Sequence, residues 1–196
     1  MQKLKFTAIT TVAIFLIIGG SAIAQQPSTQ QMPMQQVQMQ SSGTETSSLN
    51  SSEQEFLNKT ARDSIYEFAA AQLAVQKAQS NDVADYAMRL IDDHSKFNQE
   101  LMQLARQNEI VLPVELDSEN SAKLEQLMQL SGTEFDRSYI QQMSEANASG
   151  IQEFQQEAKT TNTSDLKSFI SQFLPKQQEH YKTATALENS SNANNS

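Results

Sequence analysis

The chain has no cysteine and no tryptophan, only 4 prolines and 5 glycines, and just two histidines. Without cysteine there is no disulfide, no thiolate nucleophile, no thiolate metal ligand and no cysteine to carry a lipid, so a folded part must be held by its apolar core. Cations are also scarce: 14 Lys and Arg stand against 23 Asp and Glu, a net charge of −9. An acidic chain without a basic face is a poor match for a phosphate backbone, so nucleic acid is not an expected partner. No Gly-rich phosphate loop, nucleophile elbow or metalloprotease helix motif is present, and hydrolase and nucleotide-binding readings lose their support. No run of alternating β-branched residues occurs, which leaves an all-α domain.

The amino terminus does carry a signal. Lys3 and Lys5 precede an apolar stretch from Ala8 to Gly20, which is followed by Ser21-Ala22-Ile23-Ala24. That order describes a signal peptide, residues 1–24, and the run is short for a membrane helix, which needs about 20 residues. The mature chain is therefore expected to be exported and to have no integral membrane span. Residues 25–51, rich in Gln, Ser, Thr and Met, have too few apolar positions to offset their ordering entropy and read as a disordered linker. The Asn- and Ser-rich tail, 188–196, reads the same way. One folded domain is expected between them, over 52–187.

Within it the period is helical. Helix one opens on the capping pattern Ser52-Glu53-Gln54-Glu55 and continues with Leu57, Ala61, Ser64, Phe68, Ala71, Val75 and Ala78 on one face. Helix two follows the break at Ser80-Asn81-Asp82, with Val83, Ala87, Leu90, His94, Phe97, Leu101 and Leu104 at steps of four and three. A long connection through Leu112-Pro113 holds a short helix near 120–130 and would let helix three, near 133–159, run parallel to helix two, as in bundles with one crossover. Helix three carries Asp136, Ile140, Met143, Asn147, Gly150 and Phe154 on one stripe. Helix four starts near Ser164, has Pro175 in its interior, and presents Leu166, Ile170, Phe173, Gln177, His180, Ala184 and Leu187. Phe135, Tyr139 and Phe169 also sit at core spacing.

Both histidines thus fall on inward faces. Glu67, Asn147, His94 and His180 would meet near mid-bundle, with Asp93 and Glu179 turned about 100° away and solvated or in supporting contacts. One reading is a buried hydrogen-bond network that needs no metal. The other is a metal site built from Glu67, His94 and His180, with Asn147 as a weak fourth ligand, for iron, manganese or zinc. The Glu-x-x-His spacing of di-iron bundles is missing, since Ile91 precedes His94 by three and Gln177 precedes His180 by three. A separate candidate is Met32, Met34 and Met39 in the linker, whose thioethers suit Cu(I).

Several segments together resemble one family: Leu73-Ala74-Val75-Gln76-Lys77-Ala78 after Glu67, Ala87 to His94, Leu112-Pro113, Phe135-Asp136-Arg137-Ser138-Tyr139 through Met143, and Leu174-Pro175 before His180. They are similar to exported bacterial proteins of the periplasm or outer membrane that carry a ferritin-like domain of unknown function. The resemblance implies a ferritin-like four-helix bundle with a short extra helix between helices two and three. It also implies an envelope location, periplasmic, outer-membrane associated or secreted, with an unnamed envelope partner. The family's second Asp-His pair, in helix three, reads Ala146-Asn147 here, and the glycines usual around its helix-one glutamate are replaced by Ser64 and by Phe68 to Ala71. Glu67, His94 and His180 are what carries over; the chain is expected to be a non-catalytic binding or structural module with a degenerate polar core site, or alternatively a metal-binding or redox protein that uses it.

Overall fold

Leucine, alanine and aromatic side chains at helical spacing build five helices: α1 (Ser51–Lys77), α2 (Asn81–Gln107), α3 (Ser118–Gln129), α4 (Gly132–Thr160) and α5 (Ser164–Ala193). The computed structural model describes residues 49–193; the signal peptide, nearly all of the linker and the methionine cluster lie outside the described residues. No strand occurs among the described residues.

The α2 seam is buried along its whole length, from Val83 to Leu104, and His94 sits in it at 8 % exposure. Burying each such Leu or Phe stabilises the fold by about 1.5–3 kcal/mol relative to leaving it in water. The α4 and α5 stripes are buried as their spacing requires, apart from Gly150, Gln177 and Leu187, which are half-buried. α1 departs from its expected face in its second half: Tyr66, Glu67, Ala70, Ala71 and Ala74 are buried, whereas Val75 is 42 % exposed. Three consecutive alanines at 69–71 give the spacing little contrast there, and packing decides the face.

The α1 cap also lies earlier than its expected place. Asn50, not Ser52, is the N-cap: its side chain accepts from the amides of Ser52 and Glu53, and Glu53 returns a bond to the Asn50 amide. Leu49 is already buried, so the folded part begins ahead of residue 52. At the far end α5 continues helically through 188–193, beyond the expected start of the tail. Pro175 is accommodated inside α5, at the loss of one backbone donor.

α1 packs on α2 and α4, and α5 packs on α4 and α2, so four long helices close a ring around a shared interior, with α3 laid against α1 and α4. Two buried carboxylates fix the directions. Asp136, near the start of α4, accepts from the amides of Gln79 and Ser80 in the α1–α2 turn. Glu53, in the first turn of α1, accepts from the hydroxyls of Thr161 and Thr163 in the α4–α5 turn. α4 therefore starts at the end where α2 starts and runs parallel to it, and the connection through α3 spans the length of the bundle.

α2 stops without a glycine. Glu109 takes the left-handed conformation at φ 57°, its amide bonding Arg106 and the Ile110 amide reaching back to Ala105. This is a Schellman closure, a place where glycine is usual.

Candidate functional site

The apolar ring of helices divides into two core clusters, one around Tyr86, Tyr139 and Leu90, the other around Phe97, Phe154 and Phe173. Between them lies a band of buried polar side chains. From α1 come Ser64 at 2 % and Glu67 at 5 % exposure, from α2 His94, from α4 Asn147 at 1 %, and from α5 His180 at 7 %.

His94 is at its centre. Its Nδ1 lies 2.9 Å from Ser64 Oγ, and its Nε2 lies 3.3 Å from Glu67 Oε2. Ser64 has one hydrogen, which it donates to Asn98 Oδ1 at 2.6 Å. Toward His94 it must therefore accept, which puts a proton on Nδ1. The contact with Glu67 is attractive only if a further proton sits on Nε2 or on the carboxyl, and either placement leaves the pair with no net charge. Asn147 donates through Nδ2 to Met143 O at 2.8 Å and to Glu67 Oε2 at 3.3 Å, which ties α4 to the same carboxyl.

His180 stands beside this group but faces a different partner. Its ring lies over that of His94, with centroids 6.1 Å apart and planes inclined by 27°. Its Nε2 lies 2.9 Å from Asp93 Oδ2, and since the carboxylate accepts, Nε2 carries the proton. Burial pushes the His180 imidazole below its ordinary value, and His94 adds to this; the bond to Asp93 opposes it without reversing it. Lys176, one turn earlier on α5, lies 3.8 Å from Asp93 and 3.3 Å from Glu179.

The structure thus joins Glu67, His94 and Asn147 in one cluster and pairs His180 with Asp93 next to it. Glu179 is exposed and bonded to Lys176. Among the described residues no three His, Cys, Asp or Glu side chains converge as a metal-holding group. Asp93 and Ser64 matter more than their positions in the sequence suggest. Asp93 is turned off the seam yet reaches a histidine on the neighbouring helix, and Ser64, a small seam residue, proves to be a hydrogen-bond partner. Asn98 follows a seam position and carried no signal of its own.

Three buried side-chain atoms among the described residues have no hydrogen-bond partner: Tyr139 Oη, Asn147 Oδ1 and Gln177 Oε1. Gln177 lies over Gly150, where a Cβ would stand 3.0 Å from Gln177 Nε2. Its amide borders two cavities. The inner one, about 20 Å³ and lined by Ser64, Glu67, His94 and Gly150, has the room that one water needs. The outer one, about 200 Å³, opens between α2 and α5 over Asp93, His94, Phe97, Phe173 and His180.

The arrangement can hold protons on two adjacent His–carboxylate contacts; it offers no activated nucleophile, because Ser64 is buried and its hydrogen is committed to Asn98. No curated protein and no solved structure matches the chain. Residues 38–187 match a family described as a domain of unknown function, DUF4142. The match covers most of the chain, including every residue of the polar band, and the protein belongs to that DUF4142 family.

Proposed function

We propose that this chain is an exported, ferritin-like four-helix module of the bacterial envelope that binds rather than catalyses, and that its polar centre is held together by protein groups alone. The ferritin-like reading is supported by the long crossover through α3 and the parallel course of α2 and α4. The observation that carries the reading of the centre is its pairing: both ring nitrogens of His94 and Nε2 of His180 are already engaged, by Ser64, Glu67 and Asp93. A hydrogen-bonded network of this kind fixes how four helices register against one another, because each buried polar group must find its own partner.

Elemental analysis of the purified full chain after incubation with iron, manganese, zinc or copper, beside a His94→Ala, His180→Ala double variant, tests this. The expected result is no stoichiometric metal in either chain. Near-stoichiometric metal that disappears in the double variant contradicts it.

One observation favours metal binding as a second reading. The 3.3 Å between His94 Nε2 and Glu67 Oε2 is close to the roughly 3.4 Å that separates two ligands on one tetrahedral zinc. The donor set fits in part: Glu67 and His94 would hold iron, manganese or zinc, Asn147 is adjacent, and His180 would have to give up Asp93. Such an ion would supply Lewis acidity or redox chemistry. Copper capture by Met32, Met34 and Met39 is a separate possibility; copper affinity that survives deletion of residues 25–51 would rule it out.

A further inference from the structure

The outer cavity carries chemistry that the internal network does not use. We propose that it binds a small zwitterion, a free α-amino acid with an apolar side chain. The inference rests on the reading of the chain as a binding module and adds the class of ligand.

Three features of the cavity point the same way. First, it offers a cation: Lys96, exposed on α2, lines it and makes no ion pair among the described residues, whereas Lys176 is shared between Asp93 and Glu179. A carboxylate is the complement of an uncommitted ammonium. Second, it offers an acceptor. Asp93 uses Oδ2 for His180 and for the longer contact with Lys176, which leaves Oδ1 to accept. A protonated amine, with three donors, is the complement of that oxygen. Third, the wall between these groups is aromatic. Phe97 and Phe173 meet edge to face with centroids 4.9 Å apart, a surface for an apolar side chain.

Net charge and size narrow the choice. A chain of net charge −9 repels an anion at long range, but a zwitterion has no net charge to repel. At the opening Lys96 and Lys176 stand beside Asp93, with Lys176 also paired to Glu179, so a ligand that carries both charges finds a partner for each. About 200 Å³ is below the roughly 300–1,000 Å³ of sites that enclose drug-sized ligands, so the ligand is a small one.

The test uses the full chain and three matched probes that share one branched apolar body: L-leucine, 4-methylpentanoate, which lacks the amine, and 3-methylbutylamine, which lacks the carboxylate. Binding is read from amide chemical-shift changes in a ¹⁵N-labelled chain. Leucine should perturb residues on α2 and α5 around Asp93, Phe97, Phe173 and Gln177, and bind several-fold more tightly than either fragment. Lys96→Gln, at an exposed position that the fold does not need, should weaken leucine and 4-methylpentanoate by about two- to five-fold and leave the amine unchanged. Asp93→Asn should weaken leucine and the amine and leave 4-methylpentanoate unchanged. Equal affinity for all three probes, perturbations confined to other surfaces, or indifference of leucine to Lys96→Gln would overturn the proposal. The outcome is separable from the metal test: a chain that holds metal and also binds leucine contradicts the reading of the centre and keeps the pocket, and a chain that binds neither does the reverse.

Discussion

Replacing Asp136 with alanine should destabilise the chain by about 2–4 kcal/mol, although the residue is remote from the polar band. Its carboxylate is 6 % exposed and accepts two backbone donors, Gln79 N at 3.0 Å and Ser80 N at 2.8 Å. Each hydrogen bond to a charged group contributes about 1.5–3 kcal/mol. The full sum is not lost, because the turn is partly exposed and water can reach at least one amide once the side chain is gone. Asp136→Asn keeps the shape and one acceptor but turns an NH2 toward the other amide, so it should cost about half as much. Urea unfolding followed by circular dichroism measures both. With a slope of about 1–3 kcal/mol per molar, the midpoint should fall by about 0.7–4 M for alanine, with the slope unchanged. A change below about 0.5 kcal/mol for alanine would refute the idea that this carboxylate fastens the α1–α2 turn to α4. Glu53 does the corresponding work at the opposite end of the bundle, and with no shared partner the two losses should add.

Three further outcomes are expected. Glu109→Gly should stabilise the chain by about 0.5–1 kcal/mol, since glycine takes the left-handed conformation at no steric cost; a lower thermal midpoint would count against the Schellman closure at the end of α2. Burial, and then the charge of Glu53, hold the Glu157 carboxyl above its ordinary 4.5. A carboxyl so raised favours the fold below its unfolded value and costs stability as the pH rises through its folded value. Glu157→Gln should therefore raise the midpoint at neutral pH, and an unchanged or lower midpoint there would speak against it. For His180 the sign is opposite to that of a histidine gaining a charged partner: its folded value is depressed below 6.5, so stability is full above 6.5 and declines as the pH falls toward the folded value. A His180→Gln chain should lack that part of the decline, as paired unfolding curves at pH 7 and at mildly acidic pH would reveal.

How far the sequence could be read depended on contrast between neighbouring positions. In α2 large apolar residues alternate with charged ones, so the buried face was legible residue by residue, His94 included. In the second half of α1, alanines on adjacent faces erase that contrast, and the choice between Val75 and Ala74 is made by the neighbours in the fold. The inward position of both histidines followed from spacing, as did the nearness of His94 to Glu67, whereas His180 faces Asp93. Where each ring nitrogen points did not, because it depends on rotamers and on residues far away in the chain: Asp93 and His180 are 87 residues apart. Ser52-Glu53-Gln54-Glu55 matches the capping pattern, yet the side chain that accepts the first free amides is that of Asn50, three before Glu53, a choice made by the actual path of the chain into the helix. The roles of Asp136 and Glu53 as fasteners of opposite turns were hidden for the same reason as the ring contacts.

The most direct test of a protein-held centre is a long-range ¹H–¹⁵N spectrum of the two histidine rings in the full chain at neutral pH, recorded before and after adding zinc or manganese. The account predicts His180 neutral with its proton on Nε2, His94 with a proton on Nδ1, and no movement of either ring on adding metal. His180 protonated on Nδ1 instead, or both rings shifting together at one equivalent of metal, would contradict it.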